Sequence, residues 1–287
     1  MLSLLGLCAI AASACSFAGL ELQNYAYYGE SPTPDGGRLR PVNVREVFNF
    51  SVGGDSVGGA EGEFRIDTVR YKGERIWLVT RAAEDATGEA TLDSIWMDRY
   101  DLRTIRTVRR NSEGTTTMEF NRRQVRTDRV TPDGKRRSWR GMHTAEPYSL
   151  VGIELVFGVL PLRLRATGAF PVVSGMGDIL EWLSYEVVDV SQEARPVTGG
   201  VIFRPVWLVE ATLGRERINF WIDPDDRAVI RRSLQGPNDT RMLVMRTGNV
   251  PRVEALPVAP LAAEPLTAER GTMRVLRPGG GTPQSAN

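Results

Sequence analysis

Few residues in this chain have side chains suited to covalent chemistry, and the two cysteines are the most telling. Cys8 lies inside a run of apolar or small residues from Leu2 to Ala14, and Cys15 ends it. The run has the length of an export-signal core and falls short of the roughly 20 residues of a membrane-spanning helix. Ala12-Ser13-Ala14 meets the small-x-small rule of signal cleavage, and with Cys15 it forms a loose lipobox whose cysteine becomes diacylated. Lipidation at Cys15, plain secretion and an uncleaved buried helix all fit this segment. Ala12 stands where a larger aliphatic is usual, and no Lys or Arg precedes Leu2. A single cysteine at the first mature position has an evident use only as an anchor, so the expected location is the periplasmic side of a bacterial envelope, anchored to the outer membrane.

The remaining reactive side chains form no recognisable constellation. His143 is the one histidine, and without a second His or a cysteine cluster no zinc site is expected. No Gly-x-Ser-x-Gly elbow occurs. Gly53 to Gly59 is rich in glycine but lacks the lysine and helix of a phosphate loop, so it reads as a hairpin tip. Asp225 and Asp226 sit where a turn would be polar anyway. No catalytic residue, metal ligand or cofactor is assigned, and the protein is expected not to be an enzyme. The competing possibility is an envelope hydrolase whose Asp and Glu residues become acid and base only in the fold.

Charge is balanced overall and uneven locally. The chain has 36 basic and 35 acidic residues among 287, which excludes a whole-chain attraction to nucleic acid. Between Arg99 and Arg140 there are 13 Lys or Arg against 5 Asp or Glu, a basic ribbon of +8. On alternating strands Arg106 shares a face with Arg110, and Arg122 with Arg126, so these guanidinium groups could meet anionic headgroups. A solvated face balanced by the acidic remainder is the plainer alternative.

The elements that must position these residues are strands. Segments rich in Val, Ile, Thr, Phe and Trp are separated by turn chemistry at Lys72-Gly73-Glu74, Ser112-Glu113-Gly114, Asn121-Arg122, Pro132-Asp133-Gly134, Leu213-Gly214-Arg215 and Asp223 to Asp226. Alternation of Thr116, Met118 and Phe120, and of Ile218, Phe220 and Ile222, marks half-buried strands. Ile76 to Val79, Val206 to Val209 and Met242 to Met245 are apolar throughout, which requires cover on both faces. Helical spacing predicts one helix over Pro147 to Leu160, stopped by Pro161, and a second short one within Val172 to Leu183. The expected fold is therefore mainly β: a curved antiparallel sheet, or half-open β-barrel, with one or two helices covering the concave face. Residues 1–18 are expected to be a signal, 19–43 a linker, 44–249 the folded domain and 250–287 a disordered Pro and Ala rich tail. Such a concave face either closes into a packed core or leaves a groove.

The order of parts resembles the half-barrel of bacterial lipoprotein carrier and receptor proteins, in an uncharacterised periplasmic branch. The likeness rests on Asn219-Phe220-Trp221-Ile222-Asp223-Pro224-Asp225-Asp226 followed by Ala228 to Arg232. A weaker echo is Leu92 to Asp98, and Val159-Leu160-Pro161-Leu162-Arg163 is similar to a connector in those proteins. The resemblance spans Val44 to Thr247 and implies non-enzymatic binding of acyl chains, or of a lipidated protein, in an apolar groove. Lipoprotein or outer-membrane component handling is the implied role, with a structural or assembly lipoprotein as the alternative. Trp77, Trp96, Trp207 and Phe220 are the residues expected at the groove or its rim.

Overall fold

The computed structural model describes residues 32–85, 87–173, 179–197 and 200–249. The expected signal segment with Cys15, and the tail after 249, lie outside them. The first half of the described chain forms β1 (Val42–Val52), β2 (Asp55–Tyr71), β3 (Glu74–Asp85), β4 (Ala90–Met97), β5 (Thr104–Asn111), β6 (Gly114–Asn121), β7 (Gln124–Val130) and β8 (Arg136–Met142). A short strand β9 (Tyr148–Ser149) and the helix α1 (Ile153–Val159) follow. The chain then forms β10 (Thr167–Val173), β11 (Leu180–Val197), β12 (Gly200–Leu213), β13 (Glu216–Asp223), β14 (Ala228–Gln235) and β15 (Thr240–Asn249).

All fifteen strands join one sheet, in the order β8-β7-β6-β5-β4-β3-β2-β1-β15-β14-β13-β12-β11-β10-β9. Two meanders run outward from a central seam where β1 pairs antiparallel with β15, Val47 opposite Met245. All six turns predicted from composition are hairpins here, because each puts a positive backbone φ or a tight polar turn between alternating strands. Lys72 and Gly73 at β2–β3 both have positive φ, as do Arg122 at β6–β7 and Gly214 at β12–β13.

The sheet curls until its β9–β10 edge meets the face of β5 to β7 through side chains. The Ser149 backbone N–H in β9 donates to Thr104 Oγ1 of β5 at 2.9 Å, and Val173 of β10 packs against Met118 and Val125. The result is a barrel-like sheet whose closure is not completed by a backbone ladder.

One helix enters the interior, not two. The helical segment expected over 147–160 starts as extended Tyr148 and Ser149, makes a 3-10 turn at Leu150–Gly152, and is α-helical only over Ile153–Val159. Leu160 is extended because the following Pro161 disfavours the α region. Every residue of α1 is buried. A Cβ on Gly158 would lie 2.6 Å from the Arg227 carbonyl oxygen, so only glycine allows the helix this close to the β13–β14 turn. The second expected helix is instead the pair β10 and β11, with Val173 opposite Leu180. The apolar spacing in 172–183 fits two alternating strands as well as a helix, and pairing decided between them.

The expected linker is also corrected in part. Pro34, Gly36 and Leu39 are buried, the Gly36 N–H donates to the Tyr100 carbonyl at 2.6 Å, and a Cβ at Gly36 would lie 2.3 Å from the Arg99 carbonyl oxygen. These residues stopper the barrel end that carries the β4–β5 and β13–β14 turns. The main core of Phe64, Met97, Leu102, Phe157, Leu183 and Phe220 fills that end. The opposite end, ringed by the β1–β2, β12–β13 and β14–β15 turns, is less completely filled.

Candidate functional site

Five charged side chains meet on the inner face, where alternation places apolar residues. On β1 the inward positions run Val44, Glu46, Phe48, Phe50. Glu46 lies opposite Arg246 of β15 and opposite Gly62 of β2. Arg81 of β3, in register with Phe64 of β2, reaches over β2 with its Nε 2.7 Å from Glu46 Oε2. Helix α1 brings Glu154 down onto the same group. Its Oε1 accepts from Arg81 at 2.5 Å and from Arg246 at 2.7 Å. Arg246 also donates to Glu46 at 3.1 Å and to the Val229 carbonyl at 2.6 Å, and its guanidinium lies 3.7 Å over the Phe64 ring. Arg232 of β14 completes the set, with a terminal nitrogen 3.3 Å from Glu154 Oε2.

Burial alone would raise both carboxyls, but the arginines prevail. Arg246, Arg81 and Arg232 hold Glu154 well below the usual carboxylate range, and Arg81 and Arg246 lower Glu46 despite the opposing charge of Glu154. The same carboxylates raise Arg81 in spite of its burial. Arg232 behaves differently: burial and the like charge of Arg81 bring it down to about 10. Three cations face two anions, and Arg232 is the one least well matched.

Three members of this cluster, Arg81, Glu154 and Arg232, form the floor of a cavity of about 560 Å³, and Glu46 and Arg246 lie behind them. Phe48, Phe50, Met242, Leu234 and Ile218 form one continuous wall across β1, β15, β14 and β13, Ala60, Ala83 and Thr91 line the cavity from β2 to β4, and Leu150 and Val151 lean over from the turn before α1. Glu89, Thr91 and Glu216 stand toward the less filled end. A second space of about 260 Å³ adjoins it and shares Asp93, Arg109, Leu150 and Val151. There Arg109 is bidentate to Asp93, at 2.8 and 3.1 Å, and Arg129 pairs with Glu113 at 2.8 Å.

The residues expected at a groove scatter. Phe220 lines the larger cavity, with its ring 4.9 Å from that of Phe157. Trp77 is buried at the stoppered end, where its indole N–H donates to the Gly36 and Arg99 carbonyls at 3.2 and 3.3 Å. Trp207 packs against the main core, outside the set of cavity-lining residues. Trp96 alternates with the buried Ile95 and Met97, so it faces outward, under the Arg106 guanidinium at 5.5 Å. Only one of the four aromatic residues lines the cavity, because strand alternation turned Trp96 away and the core absorbed the others.

The basic ribbon divides in the same way. Arg106 and Arg126 share the outer face, but Glu119 stands between them in register, and Arg126 pairs with Asp128 at 3.2 Å. Arg110 lies farther along that face, while Arg122 sits in the β6–β7 turn and not on a strand. His143 donates its backbone N–H to Arg123, away from the cavity. Asp223 accepts the backbone N–H groups of Asp225 and Asp226 at 2.8 and 3.2 Å, which accounts for that acidic run as a turn. Among the described residues no cluster of three His, Cys, Asp or Glu could hold a metal, and no helix is long and apolar enough to cross a membrane.

Sequence reasoning missed Glu46, Arg81, Glu154, Arg232 and Arg246. The available signal was a charge at an inward position: Glu154 is the one polar residue in the helix Ile-Glu-Leu-Val-Phe-Gly-Val, and Glu46 interrupts an apolar alternation.

A comparison with curated proteins gives no match. Among solved structures, the chain is similar to a β-barrel-like protein of the domain of unknown function DUF1849 from Brucella abortus. The TM-score is 0.48 at 12% identity, over 73% of this chain and 97% of that one. The family model of DUF3108, described as a protein of unknown function, matches residues 47–237, a span that holds Arg81, Glu154 and Arg232. With about two thirds of its length so matched, the chain belongs to the DUF3108 family.

Proposed function

We propose that this protein binds the hydrocarbon chain of an acyl lipid, or of a lipidated polypeptide, inside its barrel-like sheet, and that it works in the bacterial envelope. The reading is supported above all by the cavity of about 560 Å³ lined by Phe48, Phe50, Ile218, Leu234 and Met242. That volume lies within the roughly 300–1,000 Å³ of small-molecule sites, and its walls are mainly apolar. Each methylene moved from water into such a space contributes about 0.8 kcal/mol, so a chain of ordinary length needs no other source of affinity. The likeness to lipoprotein carrier and receptor proteins points the same way, and lipidation at Cys15 would hold the barrel at a membrane from which acyl cargo comes.

The state of the two cluster carboxyls speaks against their serving as a general acid. Glu46 and Glu154 are both drawn below the usual range by shared arginines, so neither offers a proton near neutrality.

The test is uptake of a fluorescent fatty-acyl probe by the purified protein. Saturable uptake is expected, displaced by unlabelled fatty acid and abolished in Ala83→Trp, which fills the cavity from β3. Absence of saturable uptake by the folded wild-type protein would overturn the proposal.

A further inference from the structure

The apolar walls explain how a chain is held but say nothing about which end of it enters first. The floor does. Arg81, Arg232 and Arg246 face Glu46 and Glu154, so the buried group carries one positive charge in excess. Arg81 and Arg246 each contact both carboxylates, whereas Arg232 touches only Glu154, at 3.3 Å, and its Nε is buried without a hydrogen-bond partner. Arg232 also lines the cavity. A half-buried guanidinium with a buried, unused Nε–H, set at the bottom of an apolar space, is a receptor for an anion that arrives with its own hydrocarbon.

The excess of one charge selects the anion. A monoanion neutralises the group, while a dianion such as a phosphate monoester would leave it negative beside Glu154. Glu89 and Glu216, toward the other end of the cavity, disfavour an anionic head placed there. Arg109, the other arginine in the wall, is already occupied by Asp93. We infer that the ligand is a long-chain carboxylate bound head inward, its carboxylate on Arg232 and its chain running past Phe48, Phe50 and Met242 toward the β1–β2 and β14–β15 turns. The inference rests on the acyl-binding reading above and adds the headgroup and the orientation.

Calorimetric titration of the purified full chain with dodecanoate, dodecanol and methyl dodecanoate at pH 8 tests it. A charge-assisted hydrogen bond predicts that dodecanoate binds about 10-fold or more tighter than dodecanol. In Arg232→Met the affinity for dodecanoate should fall to the level of the alcohol. Equal binding of all three by the wild type would overturn the head-inward carboxylate and leave the acyl-binding reading standing, and binding of none would overturn both. A measurement on the wild type alone guards against a variant that does not fold. With carboxyl-labelled [13C]dodecanoate, the bound carboxyl should titrate clearly below the ordinary carboxylate range. A bound carboxyl that titrates as it does in water lies outside at the mouth, and the inference fails.

Discussion

Arg246 and Glu154 meet at 2.7 Å inside the barrel, the one from β15 and the other from helix α1, 92 residues apart in the chain. This contact, with its counterpart from Arg81, ties α1 to the central seam of the sheet. The helix is thus held by charge as well as by the apolar packing of Phe157 and Leu155. Breaking a buried ion pair from one side leaves a stranded charge, which costs more than the pair itself contributes.

Glu154→Gln should therefore destabilise the protein by roughly 3–5 kcal/mol, since it leaves Arg81, Arg232 and Arg246 facing Glu46 alone. Urea unfolding followed by tryptophan fluorescence would measure it. A loss below about 1 kcal/mol would mean that the helix is held by packing only.

Acid should unfold the protein through the same group. Glu46 and Glu154 have lowered values in the fold, so their contribution is complete above the unfolded glutamate range, near about 4.3, and is lost as pH falls from there toward the native values. Stability measured from pH 7 to pH 2 should be flat at first and then fall steeply below about pH 4. In Glu154→Gln that acid slope should be shallower.

The three arginines should rank unequally. Arg81→Met removes the Nε hydrogen bond to Glu46 and one of the two donors to Glu154 Oε1, and should cost roughly 3–5 kcal/mol. Arg232→Met removes the group that burial and like charge bring down to about 10, and should leave the melting temperature unchanged or higher. A ligand site that strains the empty protein has this signature. Thermal unfolding of both variants at pH 7 provides the comparison.

Gly158→Ala should cost roughly 1–3 kcal/mol, although alanine is the better helix former, because its methyl group would press on the Arg227 carbonyl. Chemical denaturation would show this, with Gly54→Ala in the open β1–β2 turn as a comparison whose cost comes from backbone strain alone.

By itself the sequence determined the β architecture and the placing of its turns, because both are local. Gly73, Gly214 and the Asp223 to Asp226 run supply their own turn geometry, and alternation along Thr116 to Phe120 needs no partner to be legible. It misled at Val172 to Leu183, where apolar spacing suits a helix and two strands equally, and at Pro34 to Leu39, where a linker composition conceals three buried residues. The candidate site was decided by tertiary structure alone. Glu46 and Arg246 hydrogen-bond across 200 residues of chain, and only the β1–β15 seam brings them together. Alternation says that Glu46, Arg81 and Arg232 point inward. Which charges then face each other depends on how the sheet closes and where α1 lands, and no local pattern encodes either.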